Sequence, residues 1–403
     1  MGVEPRLDDE PARDPVVVVC SNLSTNCLGR ALLLAELAAP RHAASVAGFV
    51  CDDHIWQPAL DSSIPIRSYP LTHVGQFSSA ARWLRQHIAG KKLIVSKPLA
   101  TSLGLSLLAG ARPKQIVLDN DDWELGMRRS AGPHGHRERA RELLDPGAIN
   151  SYGSTWAFDR IATHFPNRIA SNSWLARRFG GVVLPHVRDT SFLDPEQTDR
   201  DSVRAELGMT GRLWVGFIGT PRPHKGIDAL LEALGQLDGD GPGLYLAGVD
   251  VADPYGAELL ERARSTVGER RLVVKGLFPF AELPRWVSAA DIICLPSGPD
   301  PAARGQLPAK LFDAMAMAKP IVAADVNDMA RIIDGRGIVV KPADVATLRD
   351  ALLRLIGDEE LRRRLGEGAR QRAISSYSYH AGRRILSRTL AAVQPVGTLR
   401  HHR

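Results

Sequence analysis

Short runs of β-branched and aliphatic residues alternate along the chain with longer stretches whose apolar positions recur at helical spacing. Residues 16–19 (VVVV) lead through a polar turn at 21–26 into a helix-like stretch at 28–38. The alternation continues with apolar stretches at 45–50 and 64–69, a helix at 77–88, a strand at 93–95, a helix at 99–109 and a strand at 115–118. Strand, turn and helix repeated in this order predict a parallel sheet covered by helices, because parallel neighbours need a crossover connection. Residues 125–155 carry Gly, His and Arg without a clean apolar period and read as a long loop with a helix inside. A strand at 168–170, a helix at 174–179 and a strand at 182–184 follow, and the first unit closes near Asp189.

The polar run 194–201 (DPEQTDRD) reads as an exposed connection between domains. Beyond it the alternation restarts with a strand at 212–218, a Pro/Gly-rich turn at 219–226 and an amphipathic helix at 227–237. Later strands are expected at 243–246, 272–274, 292–295, 321–323 and 337–340, and helices at 346–357, 359–372 and 379–393. A chain of 403 residues exceeds the size at which one core stops growing, about 250–300 residues. The expected fold class is therefore α/β, with two Rossmann-like domains of parallel sheet. The boundaries read as a disordered tail at 1–14, a first domain at 15–190, a linker at 191–209, a second domain at 210–372, a C-terminal helix at 373–393 and a tail at 394–403.

Charge narrows the partners. The 51 Lys+Arg outnumber the 45 Asp+Glu for a net +6, and they are scattered rather than gathered in one run. No basic stripe interleaved with aromatics is present, which favours anionic small ligands or acidic lipid surfaces over nucleic acid. The four cysteines, at 20, 27, 51 and 294, lack CxxC spacing and read as reduced and structural. The acidic, Pro-containing N-terminus is unlike a signal or transit peptide. No apolar run reaches the roughly 18 residues of a membrane-spanning helix. The expected address is the cytoplasm, with peripheral contact at the inner membrane face left open and the oligomeric state unread.

Two segments of the second unit suit an anionic ligand. The turn Gly219, Thr220, Pro221, Arg222, Pro223, His224, Lys225, Gly226 joins a strand to a helix, where free N–H groups and the positive end of the helix dipole face a bound anion. Arg222 and Lys225 add positive charge to it. The stretch from Gly305 to Ala316 is a second helix entry after a strand, with Asp313 as an acid on an apolar helix. Open α/β sheets bind ligands at such strand ends. In the first unit, Lys97 ends a strand, and Asp119 to Glu124 (DNDDWE) place four carboxylates within six residues. Such a cluster must be relieved by a cation, a hydroxyl-rich ligand or protonation. Hydroxyl binding or assistance to proton removal, a plain structural role, and a metal held by Asp119, Asp121 and Asp122 all remain open on the residues alone.

With Gly219, Lys225 and Gly226 at their spacing, the second half of the chain resembles the C-terminal half of the family 4 glycosyltransferases of GT-B fold, retaining enzymes that use nucleotide sugars. The resemblance implies two facing domains and a C-terminal helix that crosses back to the first. In that family an Arg directly follows the Gly of the turn; here the position holds Thr220, and the role is assigned to Arg222. The family also carries two glutamates, one near the sugar and one holding the ribose. Here Asp313 stands for the second and Gly305 occupies the place of the first. The resemblance implies that the backbone of Gln306 and Leu307 approaches the diphosphate, that Gly276 and Phe278 lie by the base, and that Gly29 lies near the donor phosphates. It implies an acceptor side built from Asn26, Arg30, Lys97, Asp119, Trp123 and Glu124. Asp121-Asp122 stand where many members have His-Asp, and His186 lies on the segment that lines the hinge.

The function implied is retaining transfer of a sugar from a nucleotide diphosphate donor to an acceptor, an EC 2.4 reaction. Arg222, Lys225, Asp121, Asp122 and His186 are its candidate catalytic residues, with no metal or other cofactor. A nucleotide-sugar epimerase of the same fold is the alternative enzyme. A degenerate, non-catalytic sugar-nucleotide binder is the alternative of another kind, and the carboxylate missing at Gly305 is its support.

Overall fold

A strand with valines on both faces must be covered on both faces. In the computed structural model, which describes residues 14–130, 149–209, 211–237 and 241–397, β1 (Pro15–Cys20) lies inside a seven-stranded sheet. Val17 and Val19 point to a cluster with Leu84, Ile88 and Leu103, whereas Val16 and Val18 point to one with Leu28, Leu34, Leu386 and Leu390. The first sheet continues with β2 (Ala43–Val50), β3 (Ile66–Pro70), β4 (Lys92–Ser96), β5 (Ile116–Asn120), β6 (Asn167–Ala170) and β7 (Val182–Val183), in the order β3-β2-β1-β4-β5-β6-β7. All its pairings are parallel.

The second sheet repeats the plan with six strands: β8 (Trp214–Ile218), β9 (Gly243–Ala247), β10 (Leu272–Lys275), β11 (Ile292–Leu295), β12 (Ile321–Ala324) and β13 (Ile338–Val340), in the order β10-β9-β8-β11-β12-β13. Strand order reverses between β1 and β4 in the first sheet and between β8 and β11 in the second. Reversal opens a crevice at the carboxyl ends of the strands, where ligands of such sheets sit.

Two crossings tie the domains together. After β7 the chain passes through Arg188, whose N–H donates to the Tyr377 carbonyl at 2.8 Å, while the Tyr379 N–H donates to the Arg188 carbonyl at 2.8 Å. Tyr379–Ala391, capped by Ser378, then packs as a helix on Cys27–Ala38 of the first domain. Gly382 permits the approach, since a Cβ there would lie 2.6 Å from Val187. On the other side, Ser130 donates to Asp300 at 3.1 Å and the Ser173 N–H donates to Asp328 at 2.7 Å.

Several expectations change. The linker at 191–209 is not simply exposed: it contains the helix Arg200–Glu206, and Leu193, Val203 and Met209 join the core of the second domain. Its acids are structural, with Asp199 capping that helix and Asp194 paired to Arg370 at 2.8 Å. Of the tail at 394–403, Val396 is buried and exchanges backbone hydrogen bonds with Gly90 and Lys91, because its apolar side chain joins the first core. The helix expected at 99–109 opens as a wide turn, Ala100–Gly104, before Leu105–Leu108. The remainder of that tail, residues 1–13 of the N-terminal tail expected at 1–14, and the middle of the 125–155 loop lie outside the described residues. Among those described, no helix is long and apolar enough to cross a membrane.

Candidate functional site

The second domain contributes the turn after β8. Gly219 has φ 109° and Gly226 φ 71°, conformations open to glycine. A Cβ on Gly226 would also stand 2.1 Å from the Pro296 carbonyl oxygen, so the turn is pressed against the end of β11. Lys225 rises from it as the last residue of a short 3-10 turn, just ahead of the helix Ile227–Gly235. Its Nζ donates to Oε1 of Gln306, which His224 Nε2 also approaches at 3.2 Å. Burial and then the charge of Lys225 push His224 down to about 4, so the ring is neutral at pH 7. Lys225 is itself pushed down to about 8, by burial first.

The first domain contributes the ends of β1, β4 and β5. Lys97, at φ 69°, is buried and donates to Asp122 and, at 2.7 Å, to Glu124. Burial alone would lower this lysine, but the two carboxylates outweigh it and hold the ammonium well above its usual range. Arg30 takes Asp119 in a two-pronged pair at 2.8 and 3.1 Å and also donates to the carbonyls of Leu184 and Pro185. His186 Nε2 lies 2.9 Å from Asp121 Oδ1. Burial would raise Asp121, yet His186, Arg30 and Lys97 together hold it well below the usual carboxylate range. Each carboxylate of the acidic run thus has a cationic or imidazole partner within the chain.

Gln306 joins the two halves: its Nε2 donates to Asp122 Oδ1 at 3.2 Å while its Oε1 receives Lys225. Lys97, Asp122, Gln306 and Lys225 form one polar chain across the cleft. Beside it the Trp123 N–H donates to the Gly305 carbonyl at 3.2 Å. A Cβ on Gly305 would meet the Trp123 Cβ at 2.3 Å, so the tryptophan occupies the ground where a side chain at 305 would start. At the cleft mouth Trp56 meets Phe280 edge to face at 5.2 Å, both rings facing Gly29.

Residues 212–358 match the model of the glycosyl transferases group 1 family. The second domain is a group 1 glycosyltransferase domain. Over 217 residues the chain is 30% identical to an alpha-D-kanosaminyltransferase of Streptomyces kanamyceticus, covering 51% of this chain and 54% of that protein. It is 29% identical over 291 residues to a GDP-mannose-dependent alpha-(1-6)-phosphatidylinositol monomannoside mannosyltransferase of Mycolicibacterium smegmatis, 70% of this chain and 71% of that one. The alignments span about half the length of the first of the curated relatives. HepE of Anabaena, in complex with UDP-glucose, superposes with a TM-score of 0.74 at 17% identity, over 94% of this chain and all of that one. The fold is GT-B, two facing Rossmann-like domains with the last helix crossing back.

Within the group 1 glycosyltransferase domain the sequence-based assignments divide. Gly219, Thr220 and Lys225 share the turn, and Gln306 lies against Lys225, although through its side chain; its backbone N–H points to the Ala303 carbonyl at 3.4 Å and Leu307 is buried. Gly276 follows β10, and Phe278 leans on Trp286 with ring centroids 6.3 Å apart. Arg222 turns outward to pair with Asp253, its side chain 45% exposed. The carboxylate of Asp313 is held by Arg188 across the domain junction.

In the first domain Asn26 stands exposed ahead of the helix that Gly29 and Arg30 begin. Arg30 and Asp119 are both buried and paired with each other. Trp123 donates through Nε1 to Asp159 at 2.9 Å, and its ring lies on Trp174. Lys97, Asp121, Asp122, Glu124 and His186 remain grouped at the cleft. The structure also brings His224, Arg188, Trp56 and Phe280 to the cleft, which sequence reading did not single out; of these His224 lies inside the Pro/Gly-rich turn.

Two results follow from these pairings. Arg30→Ala strips a buried carboxylate of its partner and is expected to cost about 3–5 kcal/mol, read as a lower urea midpoint; full stability with lost activity would restore the acceptor role. The second concerns pH. Folded Lys319, whose Nζ donates to the carbonyls of Ser288 and Ala290, is pushed down to about 7 by burial. Lys225 follows at about 8, against 10.5 for an unperturbed lysine. Between those values these two lysines bind more protons in the unfolded chain than in the folded one, so they make stability rise with pH. Unfolding midpoints are expected to climb from pH 7 to about 8, below the range in which the buried thiols, pushed up by burial, oppose the trend by ionising in the unfolded chain, and a flat or falling profile there would contradict the burial of both amines.

Proposed function

We propose that the protein transfers a glycosyl group from a nucleoside diphosphate sugar to an acceptor with retention of configuration. The observation that carries the reading is Lys225, set on the glycine-bounded turn at the switch point of the second sheet, bonded to Gln306 of its own domain and through it linked to Asp122 across the cleft. The bond between the anomeric carbon and the diphosphate oxygen breaks with its electron pair passing to the oxygen, while the acceptor's hydroxyl oxygen bonds to that carbon and its proton passes to the departing diphosphate. Lys225 and the turn amides supply the charge that offsets this build-up, and they act most strongly as the bond breaks. Asp121, beside His186, is the acceptor-side acid placed to receive a hydroxyl. Closure of the domains shields the activated sugar from water. The names of the similar transferases support this class of reaction, and the Anabaena complex makes uracil one base to try.

UDP, GDP, ADP and dTDP, each offered at about a hundred times its dissociation constant, should include one that raises stability by about 2.7 kcal/mol, seen as a thermal shift of several degrees. The corresponding sugar nucleotide should then lose its sugar slowly under excess enzyme. Four unchanged melting curves would remove the donor assignment. A bound donor that is never cleaved would leave a sugar-nucleotide binder, the reading that the missing carboxylate at Gly305 favours.

A further inference from the structure

Lys310 stands outside the polar chain that joins the domains, and its surroundings are costly for a cation. It is the second residue of the helix Ala309–Ala316, and its Nζ is enclosed without a hydrogen-bond partner among the described residues. The ammonium lies 3.6 Å from the centroid of the Phe217 ring on β8. It also lies 3.2 Å from the point where a side chain on Gly219 would begin. Asp313, one turn along the same helix, cannot neutralise it fully because Arg188 holds that carboxylate. The near charge is instead that of Lys225: burial first, then Lys225, push the Lys310 ammonium well below its usual range, with Asp313 opposing.

One aromatic face offers a cation about 0.5–2 kcal/mol, whereas enclosing an unpaired charge costs several kcal/mol. A lysine kept under these conditions marks a place short of negative charge. That place is the turn after β8, where Gly219 leaves room for the amine by having no side chain. We infer that Lys310 is a second diphosphate-binding lysine, lying beside Gly219 and sharing with Lys225 the counter-charge to the donor. The inference rests on reading the cleft as a nucleoside diphosphate sugar site. It assigns that site a cation from the second helix entry, in the segment that lacks the family's first glutamate.

Lys310→Met keeps the length and apolar stem of the side chain and removes the charge. Calorimetric titration of wild type and variant with UDP, GDP, ADP, dTDP and inorganic pyrophosphate, and with the parent nucleosides, separates the possibilities. The expected result is a loss of about 10- to 100-fold in affinity for pyrophosphate and for the tightest nucleoside diphosphate, unchanged nucleoside binding, and a higher melting temperature of the ligand-free variant. Diphosphate binding by the variant as tight as by wild type would overturn the inference and leave Lys310 as a cation resting on Phe217. Should the methionine variant fail to fold, Lys310→Gln carries the same readout. Wild-type protein that binds none of these probes would remove the donor reading itself, an outcome visible without any variant.

Discussion

Lys225→Ala is expected to lower turnover of the donor by about 100- to 1000-fold with the fold intact. The ammonium is the charge that the turn after β8 brings to Gln306, and no other side chain of the turn itself supplies one, since Arg222 pairs with Asp253 and His224 is neutral. Removing a lysine whose amine is pushed down to about 8 relieves the folded protein of a desolvated cation, so the melting temperature should hold or rise. Single-turnover cleavage of the sugar nucleotide, measured beside thermal unfolding, checks both halves. Unchanged cleavage would sink the proposed mechanism, and a collapse of stability would assign Lys225 to the fold.

Gly305→Glu, which restores the family's carboxylate, should destroy activity rather than improve it. The new Cβ would stand 2.3 Å from the Trp123 Cβ and about as near its backbone as van der Waals contact forbids, with the Trp123 nitrogen at 3.1 Å. Backbone cannot yield as a side-chain tip can, so the strain is relieved by parting the domains or by a stability cost of about 1–3 kcal/mol. Parting them pulls Gln306 from Asp122 and misplaces the reacting groups, for which a loss of about 100-fold is expected. Gly305→Ala should show most of the effect, since the first added atom makes the clash. Small-angle scattering would report the opening, and activity equal to or above wild type with glutamate at 305 would contradict the packing described here.

The departure at Gly305 is then a property of two domains together. At Gly305 in the second domain, a tryptophan from the first occupies the space where a side chain would start. The surroundings of Arg222 likewise depend on a distant segment. Residue type and spacing placed it on the turn after β8, but Asp253 on the next crossover draws it outward, and nothing near Arg222 in sequence announces that partner. Asp313 was legible as an acid needing partners, and the structure supplies Arg188 from the crossing segment as one.

Local pattern alone determined the alternation of strands and helices, the two-domain division and the Pro/Gly-rich turn after β8. These depend on apolar spacing over a few residues and on glycines where the backbone needs φ above zero. Tertiary structure alone decided which charges meet: Arg30 with Asp119, 89 residues apart, Arg188 with Asp313, 125 apart, and Gln306 with Asp122, 184 apart. A side chain's spacing tells which face it takes, but its partner is set by how distant strand ends are brought together, and burial then makes each pairing obligatory because an unpaired charge cannot be left there.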